Sequence, residues 1–241
     1  MPVFLGIMRN CPSGILEFHF QQLGILVSIV RQHIRNYLGN IIDLIQEYWG
    51  LNSNIQITIL SLVESIAIAL DSEFKIYLPS LLPLMLQVFD SDLGEKKQVM
   101  LKILHAMNIF GGNLEEYLHL IIPIISKLFE KPECPINLRK AAIQTISHLC
   151  KKLNFSDNAS RIVHPLVRVL NTPNVELRNC VMDGLALLVY QLSTEYTIFI
   201  PIVNKALVKN KIHHETYELL VSKLLKNEPF PLDLFSEVEE K

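Results

Sequence analysis

The stretch YLPSLLPLMLQVF, residues 77–89, has a counterpart forty residues earlier and another forty residues later. Residues 37–49 read YLGNIIDLIQEYW, and residues 117–129 read YLHLIIPIISKLF. Each copy begins with Tyr-Leu, carries an apolar pair at its fifth and sixth positions and ends in a bulky aromatic residue. A period near forty is typical of helical-repeat solenoids, in which each unit buries its apolar face against its neighbours. Such folds act through surface and shape, so the pattern predicts a scaffold.

The aromatic residues that close the three copies are interpreted as core residues rather than as anchors for a partner, because they share one register of the repeat. They are Trp49, Phe89 and Phe129.

The composition fits a repeat array with a large apolar core. The chain has 241 residues, 50% of them hydrophobic, with 22 basic and 24 acidic residues and a formal net charge of −2. A length of 241 residues is near the upper limit for a globular domain with one core, whereas a repeat array grows by adding units. Because a near-neutral chain has no global field that attracts phosphates, we expect no nucleic-acid partner.

The four cysteines are widely spaced and include no Cys-x-x-Cys pair, which fits neither a zinc site nor a disulfide framework. We expect reduced thiols in a cytoplasmic protein. Residues 1–8 lack the basic start and the cleavage site of a secretory signal. No stretch approaches the roughly 20 apolar residues that span a bilayer, so we expect no direct membrane insertion. The cysteines are Cys11, Cys134, Cys150 and Cys180.

Helical periodicity divides residues 1–226 into about six helix pairs, without strand alternation. We therefore predict an all-α fold, a right-handed α-solenoid arc of helix pairs. The acidic, proline-containing segment 227–241 is predicted to be disordered or to begin a linker. The first pair looks incomplete and lacks a polar cap, so we expect a segment of a longer array. The predicted pairs cover 2–32, 33–70, 74–111, 114–153, 157–193 and 195–226.

Four prolines recur at one place in the first helices of successive pairs. A proline inside a helix removes a backbone hydrogen bond, so we expect each one to kink its helix. Two second helices carry an arginine near their start, Arg139 and Arg178, whereas Val99 stands at the corresponding place one unit earlier. Kinked first helices followed by such an arginine resemble HEAT repeats. The prolines are Pro83, Pro123, Pro165 and Pro201.

The sequence contains no motif for catalysis, cofactor binding or metal binding. It has no Gly-x-x-x-x-Gly-Lys-Ser/Thr or Gly-x-Gly-x-x-Gly loop, no His-Arg-Asp or Asp-Phe-Gly element and no Gly-x-Ser-x-Gly elbow. No His-x-x-x-His pair places two imidazoles on one helix face. We therefore assign no catalytic, cofactor-binding or metal-ligating residue and expect no cofactor.

A basic patch across the last helix-to-helix turn is the one candidate for partner docking. It could bind an acidic partner or a phosphate, although cations at a helix end are more often solvated groups that complement the helix dipole. The patch consists of Lys205, Lys209, Lys211, His213 and His214.

Four longer stretches narrow the resemblance from HEAT repeats in general to one protein family. They are residues 17–24 (EFHFQQLG), 73–79 (EFKIYLP), 159–165 (ASRIVHP) and 198–214 (IFIPIVNKALVKNKIHH). In this order and spacing they resemble the middle HEAT region of the target of rapamycin (TOR) kinases, a family of phosphatidylinositol-3-kinase-related serine/threonine kinases. The likeness covers residues 2–226 in one register.

The resemblance implies a non-catalytic scaffold segment that supports dimerisation and partner docking in nutrient and growth signalling. The implied partners are a second kinase subunit and raptor- or rictor-type subunits. The implied location is the cytoplasm and, through partners, lysosomal or other endomembrane surfaces. In that family the catalytic domain lies far C-terminal of the matched region, so this chain is expected not to be an enzyme.

Two alternatives remain open at this point. A free-standing HEAT-repeat adaptor, of the transport-receptor or phosphatase-scaffold type, would explain the repeats but not the match at 198–214. A HEAT-like DNA glycosylase would need surplus positive charge to neutralise phosphates. The net charge of −2 and the single tryptophan disfavour the glycosylase.

Overall fold

The computed structural model of the chain describes residues 1–91, 93–231 and 235. Within these ranges it forms α-helices and 3-10 segments and no strand, so the predicted all-α class is confirmed. The α-helices are α1 Pro2–Asn10, α2 Ser13–Val30, α3 Leu38–Tyr48, α4 Ser53–Leu70, α5 Leu78–Gln87, α6 Leu93–Phe110, α7 Leu118–Glu130, α8 Ile136–Cys150, α9 Ala159–Val169, α10 Val175–Leu192, α11 Ile200–Asn210 and α12 Glu215–Leu225.

The helices form two layers within each of two compact units, Met1–Glu116 and Tyr117–Lys241. In the first unit, the second helices of the pairs pack in the order α2–α4–α6 and the first helices in the order α1–α3–α5. In the second unit the orders are α8–α10–α12 and α7–α9–α11. Each helix thus contacts its counterpart in the next pair of its unit, which is solenoid-like packing.

Helix α4 shows how the sequence produces this arrangement. Asn52 caps its start, because the side-chain oxygen accepts from the Ile55 backbone N–H at 2.9 Å. Twelve of its 18 residues are buried, since α4 lies between α2 and α6. A helix that is apolar nearly all round needs such an interior position. Helix α2, with four buried residues among 18, keeps a large apolar surface exposed.

Four first helices are preceded by a seven-residue 3-10 segment. The predicted helix starts at 33, 74, 114 and 195 fall inside these segments, and the repeated Tyr-Leu pairs mark where each of the first three segments passes into an α-helix. The segments are Arg31–Tyr37, Asp71–Tyr77, Gly111–Tyr117 and Ser193–Phe199.

Every one of these four segments begins with a positive φ. The angle is 48° at Arg31, 52° at Asp71, 48° at Gly111 and 48° at Ser193. At Arg31 and Asp71 the backbone N–H still bonds to the carbonyl four residues back, which closes the last helical turn before the chain changes direction. Glycine adopts such angles freely, whereas other residues do so at a cost.

The prolines do not all occupy the same helical position. Pro83, Pro123 and Pro165 lie inside α5, α7 and α9. Pro201 is the second residue of α11, so the expected kink at Pro201 is wrong. The first turn of a helix has no intrahelical acceptor for its N–H groups, so proline is tolerated there without a kink. Pro201 corresponds instead to Pro79, the second residue of α5.

The aromatic residues that close the three copies lie in the core. Trp49 and Phe89 are each 8% exposed, and Phe129 is fully buried.

The C-terminal segment 227–241 is only partly described. Phe230 and Phe235 place their rings 5.6 and 5.3 Å from the ring of Tyr190 on α10. The prediction of disorder over 232–234 and 236–241 lies outside the described residues.

The expectation about membrane-length segments needs correction. Among the residues that the structure describes, three helical stretches could cross a membrane by length and composition alone: Ser13–Tyr48, Ser53–Asp90 and Val175–Asn210. The prediction counted uninterrupted apolar residues, whereas mean hydropathy stays high when a few polar residues are interspersed. In the second and third stretches 67% and 50% of the most apolar window is buried within the fold. In the first only 22% is buried.

Replacing Gly111 by alanine should reduce the free energy of unfolding by about 1–2 kcal/mol, because a Cβ at φ 48° is strained. Urea denaturation followed by circular dichroism measures the loss. Gly112→Ala is the matched control, since an added Cβ there meets no atom within 4 Å. Equal losses for the two variants would contradict a special role for the first residue of the segment.

Candidate interaction surfaces

The predicted basic patch lies at the turn between α11 and α12. Lys205 and Lys209 are exposed and one turn apart on α11, and Lys211 ends that helix with a left-handed backbone conformation at φ 53°. The Nζ of Lys209 donates to Asn171 Oδ1 at 3.2 Å.

The two histidines of the patch face acidic side chains. His213 Nδ1 lies 3.4 Å from Glu218 Oε1, and His214 Nε2 donates to Asp183 Oδ1 at 3.2 Å. His214 also caps α12, because its Nδ1 accepts from the Tyr217 backbone N–H at 3.3 Å. The two carboxylates offset part of the positive charge, so the lysines form the cationic part of the patch. Its docking role stays a prediction.

The two arginines with the HEAT-like position make different contacts. Arg139 is 6% exposed, and its Nε donates to the Phe129 carbonyl at 2.8 Å. This carbonyl is in the last turn of α7, where carbonyls have no partner within the helix. Burial lowers the pKa of Arg139. Arg178 instead donates from Nη2 to Asn210 Oδ1, 3.4 Å away in the next pair.

Local side chains explain why Arg178 does not cap α9. Asn171 Nδ2 donates to the Arg168 carbonyl at 3.3 Å, and Thr172 Oγ1 donates to the Val169 carbonyl at 2.8 Å. With these carbonyls occupied, Arg178 reaches across to α11.

The connection between α8 and α9 lacks the long 3-10 segment and is held by Gln191 of α10. The Gln191 Nε2 group donates to the Cys150 carbonyl at 2.6 Å and to the Leu153 carbonyl. Its Oε1 accepts from the Phe155 backbone N–H at 3.2 Å and from Cys150 Sγ at 3.3 Å. One side chain thus satisfies groups on both sides of the turn.

Buried ionisable groups nearby are held in their neutral forms. Burial raises the pKa of the Cys150 thiol to about 12. Tyr196 and Tyr217 are both buried, with their hydroxyl oxygens 3.4 Å apart. Burial raises the pKa of both phenols, that of Tyr217 to about 12. These groups are structural at neutral pH, since none is activated as a nucleophile.

Side-chain bonds join the second helices of neighbouring pairs. Between α4 and α6, buried Glu64 accepts from Lys102 Nζ at 2.6 Å and lies 2.8 Å from His105 Nδ1. Gln56 Oε1 accepts from Lys96 Nζ at 2.9 Å.

The second unit has equivalent bonds. Lys140 of α8 pairs with Glu176 of α10, and Asp183 of α10 bonds to His214 at the start of α12.

A surface groove between α2 and α4, called here the α2–α4 groove, runs along both helices. It consists of three adjoining cavities of about 330, 510 and 840 Å³. Glu17 lines the first two cavities, and Ser28 and Ser65 line the second and third. Helices of 18 residues are roughly 27 Å long, which sets the length of the groove.

Within the described residues, no group of three or more His, Cys, Asp or Glu side chains is placed to hold a metal ion. The polar groups described above serve caps, turns and contacts between helices.

Comparison with known proteins supplies relatives. The serine/threonine-protein kinase tor1 of Schizosaccharomyces pombe is 47% identical over 234 residues, which is 97% of this chain and 10% of the kinase. TOR2 of Saccharomyces cerevisiae is 42% identical over 239 residues, 99% of this chain and 10% of that kinase. The mTor kinase of Drosophila melanogaster is 42% identical over 224 residues, 93% of this chain and 9% of that protein.

The chain is homologous to one segment of the TOR kinases. It spans about a tenth of the length of the relatives it matches, and its sequence holds no kinase motif. The resemblance inferred from residues 2–226 is confirmed, and the chain corresponds to a non-kinase segment of those proteins.

The fold is shared more widely than the sequence. The crystal structure of the MAST/Orbit N-terminal domain superposes with a TM-score of 0.54 at 16% identity, covering 93% of this chain and 96% of that domain. No family model matches the chain.

Sequence reasoning missed Gln191 and the α2–α4 groove of this TOR-like segment. The partners of Gln191 lie 36 to 41 residues away, so no local motif could reveal them. The groove depends on small residues of two different helices, Gly24 and Ser28 on α2 and Ser61 and Ser65 on α4, which only tertiary packing brings together.

Gln191→Glu should lower the free energy of unfolding at pH 7 by about 2–3 kcal/mol, because a carboxylate would face the carbonyls of Cys150 and Leu153. These carbonyls should raise the pKa of the new carboxyl in the folded protein. The loss should therefore be smallest below about pH 4 and grow as the pH rises through the folded-state pKa. Urea unfolding across this range measures it.

The control is Gln98→Glu, at an exposed position of α6, which should change stability by less than about 0.5 kcal/mol. A loss at position 191 that matched this control, or did not vary with pH, would show that the side chain does not hold the turn.

Proposed function

We propose that the chain is a non-catalytic helical-repeat scaffold segment of a TOR-type serine/threonine kinase. It supports dimerisation of the kinase and docking of protein partners in nutrient and growth signalling. The observation that carries the proposal is the 47% identity to tor1 over 97% of this chain, in a region without kinase motifs.

The character of the surface supports a role in protein contacts. Exposed large hydrophobic residues gather on the first helix pair, where Phe18 is 58% exposed, Ile25 54% and Ile29 71%. Monomeric soluble proteins rarely expose continuous apolar patches of this kind, which usually mark interaction surfaces. Helical-repeat proteins use extended surfaces for binding.

Within this proposal, the partners are a second kinase subunit and raptor- or rictor-type subunits. The three lysines of the basic patch dock acidic side chains of a partner. The assembly resides in the cytoplasm and reaches lysosomal or other endomembrane surfaces through its partners.

A segment exchange tests the function. Replacing the matched segment of S. pombe tor1 by this chain should preserve growth and the mass of the purified kinase assembly, because the surfaces that partners recognise would be retained. Deleting the segment should abolish the large assembly, while the separately expressed kinase domain should still phosphorylate a generic peptide. Mass photometry and growth rate are the measurements.

The MAST/Orbit N-terminal domain is the matched control, since it shares the fold at only 16% identity. It should fail to restore assembly. Full restoration by this control would mean that the segment is only a spacer, and failure of the exchange with a folded segment would refute the scaffold role.

A further inference from the structure

The α2–α4 groove differs from the other grooves between neighbouring second helices within each unit. Among the described residues, side-chain bonds cross from α4 to α6, from α8 to α10 and from α10 to α12. No side-chain hydrogen bond or ion pair crosses between α2 and α4 in the described part of the chain. The helices approach closely instead, since a Cβ on Gly24 would lie 3.8 Å from Leu62 Cα.

Three serine hydroxyls along the second and third cavities of the groove donate within their own helices. Ser28 Oγ donates to the Ile25 carbonyl at 2.7 Å, Ser61 Oγ to the Ile57 carbonyl at 3.2 Å and Ser65 Oγ to the Ser61 carbonyl at 3.0 Å. Because these three hydroxyls already donate, an occupant can cover them without supplying acceptors.

Exposed apolar side chains form the sides of the groove. Ile25 and Ile29 on α2 are 54% and 71% exposed, and Ile68 on α4 is 70% exposed. These residues line the second and third cavities together with Ile57. An occupant that covered them would remove this apolar surface from water, at about 25 cal/mol for each Å².

Charge differs between the two ends of the groove. The first cavity has Glu17 as its charged lining residue. At the other end Arg31, His33 and Arg35 line the third cavity with a single carboxylate, that of Asp71. Arg35 also pairs with Glu73 outside the cavity. Arg31 therefore supplies the principal positive charge available to an occupant.

We propose that the α2–α4 groove is a docking site for an amphipathic α-helix of a protein partner, with acidic residues at the end above Arg31. A helix satisfies its own backbone hydrogen bonds, whereas an extended peptide needs a strand edge for its N–H and C=O groups, and two neighbouring helices present none. About 18 residues match the groove length. The inference rests on the proposed scaffold function, because it specifies the kind of partner.

The test uses the whole chain and two fluorescein-labelled synthetic peptides of 18 residues. Both peptides have the same apolar helix face, made of leucine and alanine. They differ only in their last helical turn, which carries glutamates in one peptide and lysines in the other. Fluorescence anisotropy at low salt should show at least tenfold tighter binding of the glutamate peptide, and the difference should shrink at high salt. Arg31→Glu should reverse the preference.

Filling the groove should abolish binding. Ser61→Trp is expected to weaken binding of the glutamate peptide at least tenfold, while Ser222→Trp, at an exposed position of α12, should leave it unchanged. Circular dichroism melting checks that both variants fold. The proposal is refuted when neither peptide binds, or when Ser61→Trp binds as well as the parent chain.

Other occupants would also become visible. Binding of the chain to phosphatidylcholine vesicles that is lost in Ser61→Trp, without peptide binding, would assign the groove to a lipid surface and overturn the proposal. Self-association lost in the same variant would assign it to a second copy. When the tor1 exchange restores assembly but neither peptide binds, only the groove proposal fails. When the peptides bind as expected but the exchange does not assemble, only the scaffold function fails.

Discussion

The arrangement of this chain depends on a backbone constraint at the end of the second helices. At Arg31, Asp71, Gly111 and Ser193 a positive φ, between 48° and 52°, ends one 18-residue helix and starts a seven-residue 3-10 segment. Within each unit, at Arg31, Asp71 and Ser193, the turn returns the chain to the layer of first helices. Since the apolar faces inside a unit can meet only when successive pairs return in the same direction, burial in the core of each unit holds these non-glycine residues at such angles despite their cost. The forty-residue period is the number of residues from one such turn to the next, as from Arg31 to Asp71 and from Asp71 to Gly111.

The turn between α8 and α9 shows what happens where this constraint is absent. Its 3-10 segment has three residues, Ser156–Asn158, and the spacing between Pro123 and Pro165 grows to 42. Here Gln191 satisfies two carbonyls and one backbone N–H that the turn leaves without local partners. At this turn the hydrogen bonds of Gln191 take the place of the positive-φ residue and the seven-residue 3-10 segment. The conformation of the turn therefore depends on the packing of α10, which belongs to the next helix pair.

The sequence predicts those features that repeat. The Tyr-Leu pairs locate the starts of α3, α5 and α7, because tyrosine ends the 3-10 segment and leucine begins the buried helix. It does not predict the positive φ at Arg31, Asp71 or Ser193, where the residue type carries no signal, although Gly111 does. Pro201 was misplaced because proline is common both inside these helices and in their first turn. The partners of Gln191 and the shape of the α2–α4 groove arise from tertiary packing, which a residue pattern does not encode.

The same fold therefore contains two kinds of contact between second helices. Where Glu64 meets Lys102 and His105, the ammonium group of Lys102 neutralises a buried carboxylate, and removing Lys102 would leave that charge without its ion-pair partner. Such a contact specifies which helix follows which. Between α2 and α4, packing of small residues holds the helices without charge, and the surface above them stays open. Because the MAST/Orbit domain shares the fold at 16% identity, the fold alone does not determine a partner. Specificity must come from the surfaces on which repeats differ, and the α2–α4 groove is such a difference.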